Sequence, residues 1–266
     1  MGRVRVLVGS PTHVGSVSQG TMLSIVSGAS AMDAEVNVHA SGFSLLASNF
    51  NRLFTFAYVG GYDYFILLHA DIGVNPGEGQ PGSWIDVLVQ KAKNLDAAAV
   101  SATVPIKGQD GLTSLAINPD PANPYNIRRV TMTELSRLPM DFISRLDICD
   151  VMGLDPDVTG AMLINTGCLC LPLRNPKYDW RAARWPGFHI DDQLVWNAAG
   201  VPMSYVLPED WCFSRWLFGK GWPYYATSDL HISHFGGGQY DNRGMWGHEV
   251  DSFGYMMPIE EYERSS

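Results

Sequence analysis

The residues with the most chemical potential sit at the ends of apolar runs. Residues 64–68, Tyr-Phe-Ile-Leu-Leu, lead straight into His69-Ala70-Asp71. Open α/β sheets bind ligands at the carboxyl ends of their parallel strands. A carboxylate and an imidazole two residues apart at such an end can converge on one ion. That donor set suits Mn2+, or Mg2+ with water completing the shell. An Asp in this place also caps turns, so the spacing alone leaves both readings open. A second group is Pro208-Glu209-Asp210-Trp211, two acids ahead of an apolar run. Such acids favour a helix N-terminus through the dipole. Their chemical alternative is to take a proton from a hydroxyl. Asp191-Asp192-Gln193 repeats the pattern and is the lesser candidate base, with an acceptor contact as its other role. His231 and His234 precede a Gly-rich stretch. Positions three apart on a strand face opposite sides, so the two rings are not expected to share an ion.

The elements that must position these groups follow from periodicity. Residues 4–8 read as a buried strand ended by Gly9-Ser10-Pro11. A helix is expected within 17–30, a strand at 35–39, a helix at 45–58 and a central strand at 64–68. This β-α-β-α-β order implies a largely parallel sheet with right-handed crossovers. Residues 73–82 read as a surface loop, 84–95 as a helix and 97–104 as a strand. Residues 107–126, rich in Gly, Asn, Asp and Pro, read as a long loop that orders on ligand binding. Residues 162–173 read as two strand pieces around Asn165-Thr166-Gly167. Short helices are expected at 191–199 and 210–218, each followed by a Gly turn and a brief strand. The tail from Gly236 has little periodicity. Most of the tryptophans crowding the C-terminal half should be core. The fold class is α/β, with one domain over residues 1–266.

Composition sets further bounds. Apolar residues make up 46 % of the 266 and charged residues 17 %, which fits a globular chain. The net charge of −9 argues against a non-specific grip on nucleic acid through the whole-molecule field. The basic clusters at 128–129 and 174–184 read as solvated loops. Cys149, Cys168, Cys170 and Cys212 lack the spacing of a disulfide framework or zinc ribbon. Buried free thiols in a reducing cytoplasm are the expectation. Cys168 and Cys170 should face the same side of a strand. The first apolar run is too short for a signal peptide or membrane span. No Gly-X-Ser-X-Gly elbow and no phosphate loop ending in Gly-Lys-Ser/Thr is present, and no Gly-X-Gly-X-X-Gly follows the first strand.

Taken in order, several of these pieces resemble a family. They are His69-Ala70-Asp71, Asn165-Thr166-Gly167-Cys168, Glu209 to Arg215, and Ala226-Thr227 with His234-Phe235-Gly236. Asn242, Trp246, Gly247 and Asp251 follow in the tail. The set is similar to GT-A glycosyltransferases, close to the family-2-like enzymes of bacteria and their phages. The resemblance implies a GT-A, Rossmann-like mixed and mainly parallel sheet flanked by helices. It implies a nucleotide-sugar-binding half at 1–105 and an acceptor-binding and catalytic half at 106–266. It further implies transfer of a sugar from a nucleotide sugar, by default a uridine diphosphate sugar, to a hydroxyl. The acceptor would be a glycan, a protein, a lipid-linked sugar or a modified DNA base.

The resemblance also assigns roles. Asp71 would be the main ligand of Mn2+ (or Mg2+), and His234 the second. Pro11, Thr12, Arg52, His69 and Asp71 would contact the donor, Pro11 and Thr12 at the base and Arg52 at the phosphates. His69 replaces the family's first Asp, which removes one negative charge from the site. Asp210, or Glu209, would be the base of an inverting enzyme. Asp191, Asp192 and Trp211 would contact the acceptor. Alternatives that use the same residues are a metal-dependent nucleotide-sugar or phosphoester hydrolase, and a catalytically silent sugar-nucleotide-binding module.

Overall fold

Every residue of Tyr64–Leu68 is buried, so this unbroken apolar run forms the middle of a sheet and not its edge. The computed structural model describes residues 3–12, 15–75, 83–108, 110–196, 199–236 and 238–242. The chain opens with β1 (Val4–Thr12), α1 (Gln19–Gly28), β2 (Ala34–Gly42), α2 (Leu46–Val59) and β3 (Tyr64–Leu68), the expected alternation. Then come β4 (Ile72–Asn75), α3 (Trp84–Asn94), β5 (Ala99–Ala102), β6 (Leu112–Ile117) and β7 (Arg128–Thr131). Two short helices, α4 (Met132–Leu135) and α5 (Arg145–Met152), precede β8 (Met162–Leu163) and β9 (Cys168–Pro172). The hairpin β10 (Asp191–Trp196) and β11 (Pro202–Leu207) leads into α6 (Glu209–Lys220). β12 (Tyr224–Thr227), β13 (His231–Phe235) and β14 (Gln239–Asp241) complete the described elements.

The main sheet has six strands in the order β12-β5-β9-β3-β1-β2. β1 runs parallel to β2 and β3, and β12 parallel to β5. β9 runs against both its neighbours. The sheet is therefore mixed, with one reversed strand, and helices flank it. Residues from both halves of the chain build it, since β9 is inserted between β3 and β5.

Strand alternation splits the core into two. Leu7, Phe65, Leu67, Leu169 and Leu171 face one cluster, which contains Phe50 and Leu53 of α2. Val6, Val8, Ile66, Leu68, Cys168 and Cys170 face the other, against Trp84, Ile85 and Leu88 of α3. The two cysteines thus share a face, and all four cysteines are free and buried. The expected aromatic core is also found. Trp180 meets Trp222 edge-on at 5.2 Å, and Trp185 meets Phe54 at 4.5 Å.

Several local expectations change. β1 continues through Gly9-Ser10-Pro11 to Thr12 and does not stop at the glycine. Beyond Gly9 only β2 pairs with it, and a strand with one partner tolerates a proline. Residues 73–75 belong to β4, while 76–82 lie outside the described residues. The stretch 107–126 contains β6, which pairs with both β7 and β8. Its Leu-Thr-Ser-Leu-Ala-Ile core is masked in the sequence by flanking turn residues. Residues 191–196 form a strand, not a helix, because they pair along their length with 202–207.

One contact fixes α6 against the sheet. Ser214 is fully buried, and its hydroxyl accepts from the Ile164 N–H at 2.9 Å and donates to the Asp210 carbonyl at 2.7 Å. This holds the first turn of α6 beside the segment that precedes β9. Ser214→Ala leaves the Ile164 N–H unsatisfied in the core and should cost about 1–3 kcal/mol in chemical denaturation. A cost below about 0.5 kcal/mol would mean that packing alone seats the helix.

Candidate active site

The candidate site lies where β1, β3 and β5 end, the edge at which ligands of such sheets collect. After Leu68 the chain turns tightly, with the Ile72 N–H donating to the His69 carbonyl at 3.1 Å. The His69 N–H still donates to the Gly167 carbonyl at 2.8 Å, so the turn before β9 stands beside it. Past the turn, β4 pairs antiparallel with β13, and the register sets His234 opposite Ile72. That places His234 next to Asp71. Phe235 helps to seat the strand. A Cβ on Gly20 would lie 2.1 Å from its ring and one on Gly73 would lie 2.9 Å away, so only glycines let the ring pack there.

The geometry at Asp71 is specific. His234 Nδ1 is 2.8 Å from the Pro105 carbonyl, which makes Nδ1 the donor. Nε2 then points at Asp71 Oδ2, 3.4 Å away. Two ligands about 2.1 Å from a shared ion, at a right angle or slightly wider, lie roughly 3.0–3.4 Å apart. Asp71 and His234 therefore fit a divalent cation. No group of three or more His, Cys, Asp or Glu suited to a metal occurs among the described residues. The Lys107 ammonium meets the same Asp71 oxygen. Burial by itself would raise the Asp71 carboxyl, but His234 and Lys107 outweigh it and hold the group well below the usual carboxylate range.

His69 occupies the cleft as a neutral ring. Burial pulls it down to about 4. The ring packs against Phe50 at 5.1 Å, and its Nε2 is 3.4 Å from Thr166 Oγ1. Thr166 in turn reaches Glu209 Oε1 at 3.4 Å. This chain of contacts joins His69, two residues before Asp71, to Glu209 at the start of α6. Burial raises the Glu209 carboxyl. Asp210 is pushed up to about 7, first by burial and then by Glu209, against the opposing pull of Arg129.

A cleft of about 590 Å³ opens over His69 and Asp71, and Thr166, Glu209 and Asp210 are not among the residues that line it. Pro11, Ser18, Leu46, His69, Asp71 and Gly236 are among the residues that line it. Of the residues expected to contact a donor, Pro11, His69 and Asp71 are on the cleft lining. Thr12 is not: it is buried, and its hydroxyl accepts the Gly15 N–H at 3.1 Å. Successive strand residues face opposite ways, so Pro11 and Thr12 cannot both meet one ligand. Arg52 is also misplaced. It lies over the Phe43 ring at 5.2 Å and borders a separate shallow pocket with Asn51 and Phe56.

The expected acceptor contacts need correction as well. Trp211 is buried in a cluster with Ala116, Leu163 and Leu207, so it is core. Asp191 and Asp192 are on β10, bonded to Gln193 and Ser204, and border no described part of the cleft. Asn242 is buried and ties β13 to the end of β5 by donating to the Leu230 and Thr103 carbonyls. Trp246, Gly247 and Asp251 lie outside the described residues. Sequence reasoning missed Lys107 and gave Thr166 no role. Lys107 was findable, since it follows a strand whose carboxyl end points to the same edge.

No family model matches this chain, and no curated protein matches it. Among solved structures it is similar to A197 from STIV, at 16 % identity and a TM-score of 0.46. The likeness covers 96 % of this chain and 100 % of that one. No helix among the described residues is long and apolar enough to cross a membrane.

The shift at Asp210 has a signed consequence. Its folded carboxyl titrates near 7 and its unfolded one near 3.9. Its contribution to stability is complete below about pH 4 and is lost as pH rises towards 7. In urea titrations from pH 4 to pH 8, Asp210→Asn should gain stability relative to the parent as pH rises. A constant difference across that range would place Asp210 in solvent.

Proposed function

We propose that this chain is a metal-dependent glycosyltransferase of the GT-A type, moving a sugar from a nucleotide sugar to a hydroxyl. The observation that supports it most is the meeting of Asp71 and His234. They come from distant parts of the chain, yet His234 Nε2 and Asp71 Oδ2 come within 3.4 Å of each other at the carboxyl-end edge of the sheet. The cleft volume lies within the range of small-molecule sites, roughly 300–1,000 Å³. The order of the motifs agrees with the family resemblance, which also makes a uridine diphosphate sugar the default donor.

In this reading Asp71 and His234 would hold Mn2+ or Mg2+, with donor phosphate and water as the remaining ligands. When bound, such an ion neutralises the charge that develops on the leaving diphosphate. Pro11 and Leu46 line the cleft for the nucleoside. His69, being neutral, offers hydrogen bonding to a ribose hydroxyl without adding charge. Asp210, next to Glu209 at the start of α6, takes the proton from the acceptor hydroxyl. A base works best with its pKa near the operating pH, and the environment of Asp210 moves it that way. Thr166 keeps Glu209 in register with the cleft through His69. The hydrolase alternative differs only in using water as the acceptor.

The decisive assay incubates the protein with a panel of sugar nucleotides and candidate acceptors, with Mn2+ or with chelator. Transfer is expected with Mn2+ and not with chelator. Asp71→Ala and His234→Ala should each lower it by about 100-fold or more while the circular dichroism spectrum stays unchanged. Full wild-type activity in chelator would refute the metal role, and diphosphate release that needs no acceptor would favour the hydrolase. Asp210→Asn should lower kcat far more than it changes donor binding. Equal losses in both would make Asp210 a structural residue.

A further inference from the structure

The cation that meets Asp71 in this chain is its own Lys107. Lys107 Nζ lies 2.5 Å from Asp71 Oδ2, the same oxygen that faces His234 Nε2 at 3.4 Å. A single carboxylate oxygen thus faces both a side-chain cation and an imidazole nitrogen. An ion held by Asp71 and His234 would compete with the ammonium for that oxygen. The ion pair is not buried, with side-chain exposures of 36 % and 40 %, so breaking it costs little. The lysine also has somewhere to go. Its methylenes run past Gly236, where a Cβ would lie 2.8 Å from Cδ and 3.2 Å from Cε. Gly236 and Asp71 both line the cleft, so the stem runs along the cleft wall. A four-carbon stem lets the ammonium swing from one anion to another.

We propose that Lys107 occupies the cation's place on Asp71 in the donor-free protein and transfers to the diphosphate oxygens of the donor when metal and nucleoside diphosphate bind together. This rests on the metal-dependent glycosyltransferase reading of the site. Lys107 then opposes binding of metal alone and favours binding of metal with diphosphate. Metal and diphosphate become positively coupled, and by linkage the coupling is the same whichever binds first.

Calorimetric titration tests this with Mn2+ alone, and then with inorganic pyrophosphate on the Mn2+-loaded protein. Lys107→Met should bind Mn2+ alone roughly three- to tenfold tighter than the parent, the range set by losing one partly screened charge. The same variant should bind pyrophosphate about tenfold more weakly. Lys107→Arg, which keeps the charge, should stay close to the parent in both titrations. Unchanged or weaker Mn2+ binding by Lys107→Met overturns the proposal. Asp71→Ala separates the two ways of failing. If it abolishes Mn2+ binding while Lys107→Met does not tighten it, the lysine's role falls and the metal site stands. If Asp71→Ala binds Mn2+ as the parent does, the metal site falls and the lysine's role falls with it.

Discussion

An imidazole whose Nδ1–H donates to a carbonyl has only Nε2 left to meet a proton, a cation or a metal ion. In this chain His234 Nδ1–H donates to the Pro105 carbonyl, and Nε2 faces the Asp71 carboxylate. Two acceptors so placed repel unless a positive charge lies near both. A proton on the ring, an ammonium or a metal ion can each supply it. The arrangement is how a metal-ligating histidine is normally oriented, with its outer nitrogen fixed by a backbone acceptor. The proposed chemistry begins from this constraint.

The rest of the structure can be seen as the apparatus that maintains it. The buried β3 delivers the turn at His69-Ala70-Asp71 to the edge of the sheet. Pairing of β4 with β13 brings His234 back across a long loop of chain. The segment after β5 supplies both the Pro105 carbonyl and, two residues on, Lys107. The turn before β9, the reversed strand, adds the Thr166 hydroxyl between His69 and Glu209. Ser214 holds α6 so that its first turn meets that hydroxyl. Each group near the cleft is therefore anchored through backbone pairing or a buried side-chain bond.

Much of this was legible in the sequence, for identifiable reasons. Periodicity located β1 to β3, α2 and α3, because local pattern and burial agree there. The conflict came where an acidic pair precedes an apolar run. At Glu209-Asp210 the pattern does start a helix. At Asp191-Asp192 the same pattern belongs to a strand, because pairing with 202–207 overrides it. Trp211 drew attention as an aromatic beside acids, but its side of α6 faces the core. Thr12 failed for a reason of parity, standing next to Pro11 on a strand that was expected to have ended. Arg52 failed because a position on a helix does not fix where a long side chain will settle. Lys107 stands in a stretch that reads as loop, and its one signal is that it follows a strand expected to end at the same edge.

Charge balance explains why so sparse a site can be selective. Asp71 contributes one negative charge and Lys107 one positive charge, with His69 neutral where the resembling family has an acid. The centre is close to electrically neutral, so it attracts a free dication weakly. A diphosphate changes that, since it brings negative charge and further oxygen ligands to the same point. On this view the donor is part of the metal site, beside the two side chains that the described residues contribute. It also accounts for the tolerance of histidine at position 69. Once the substrate supplies the missing negative charge, a second acid would hold metal in the absence of donor and weaken the coupling between them.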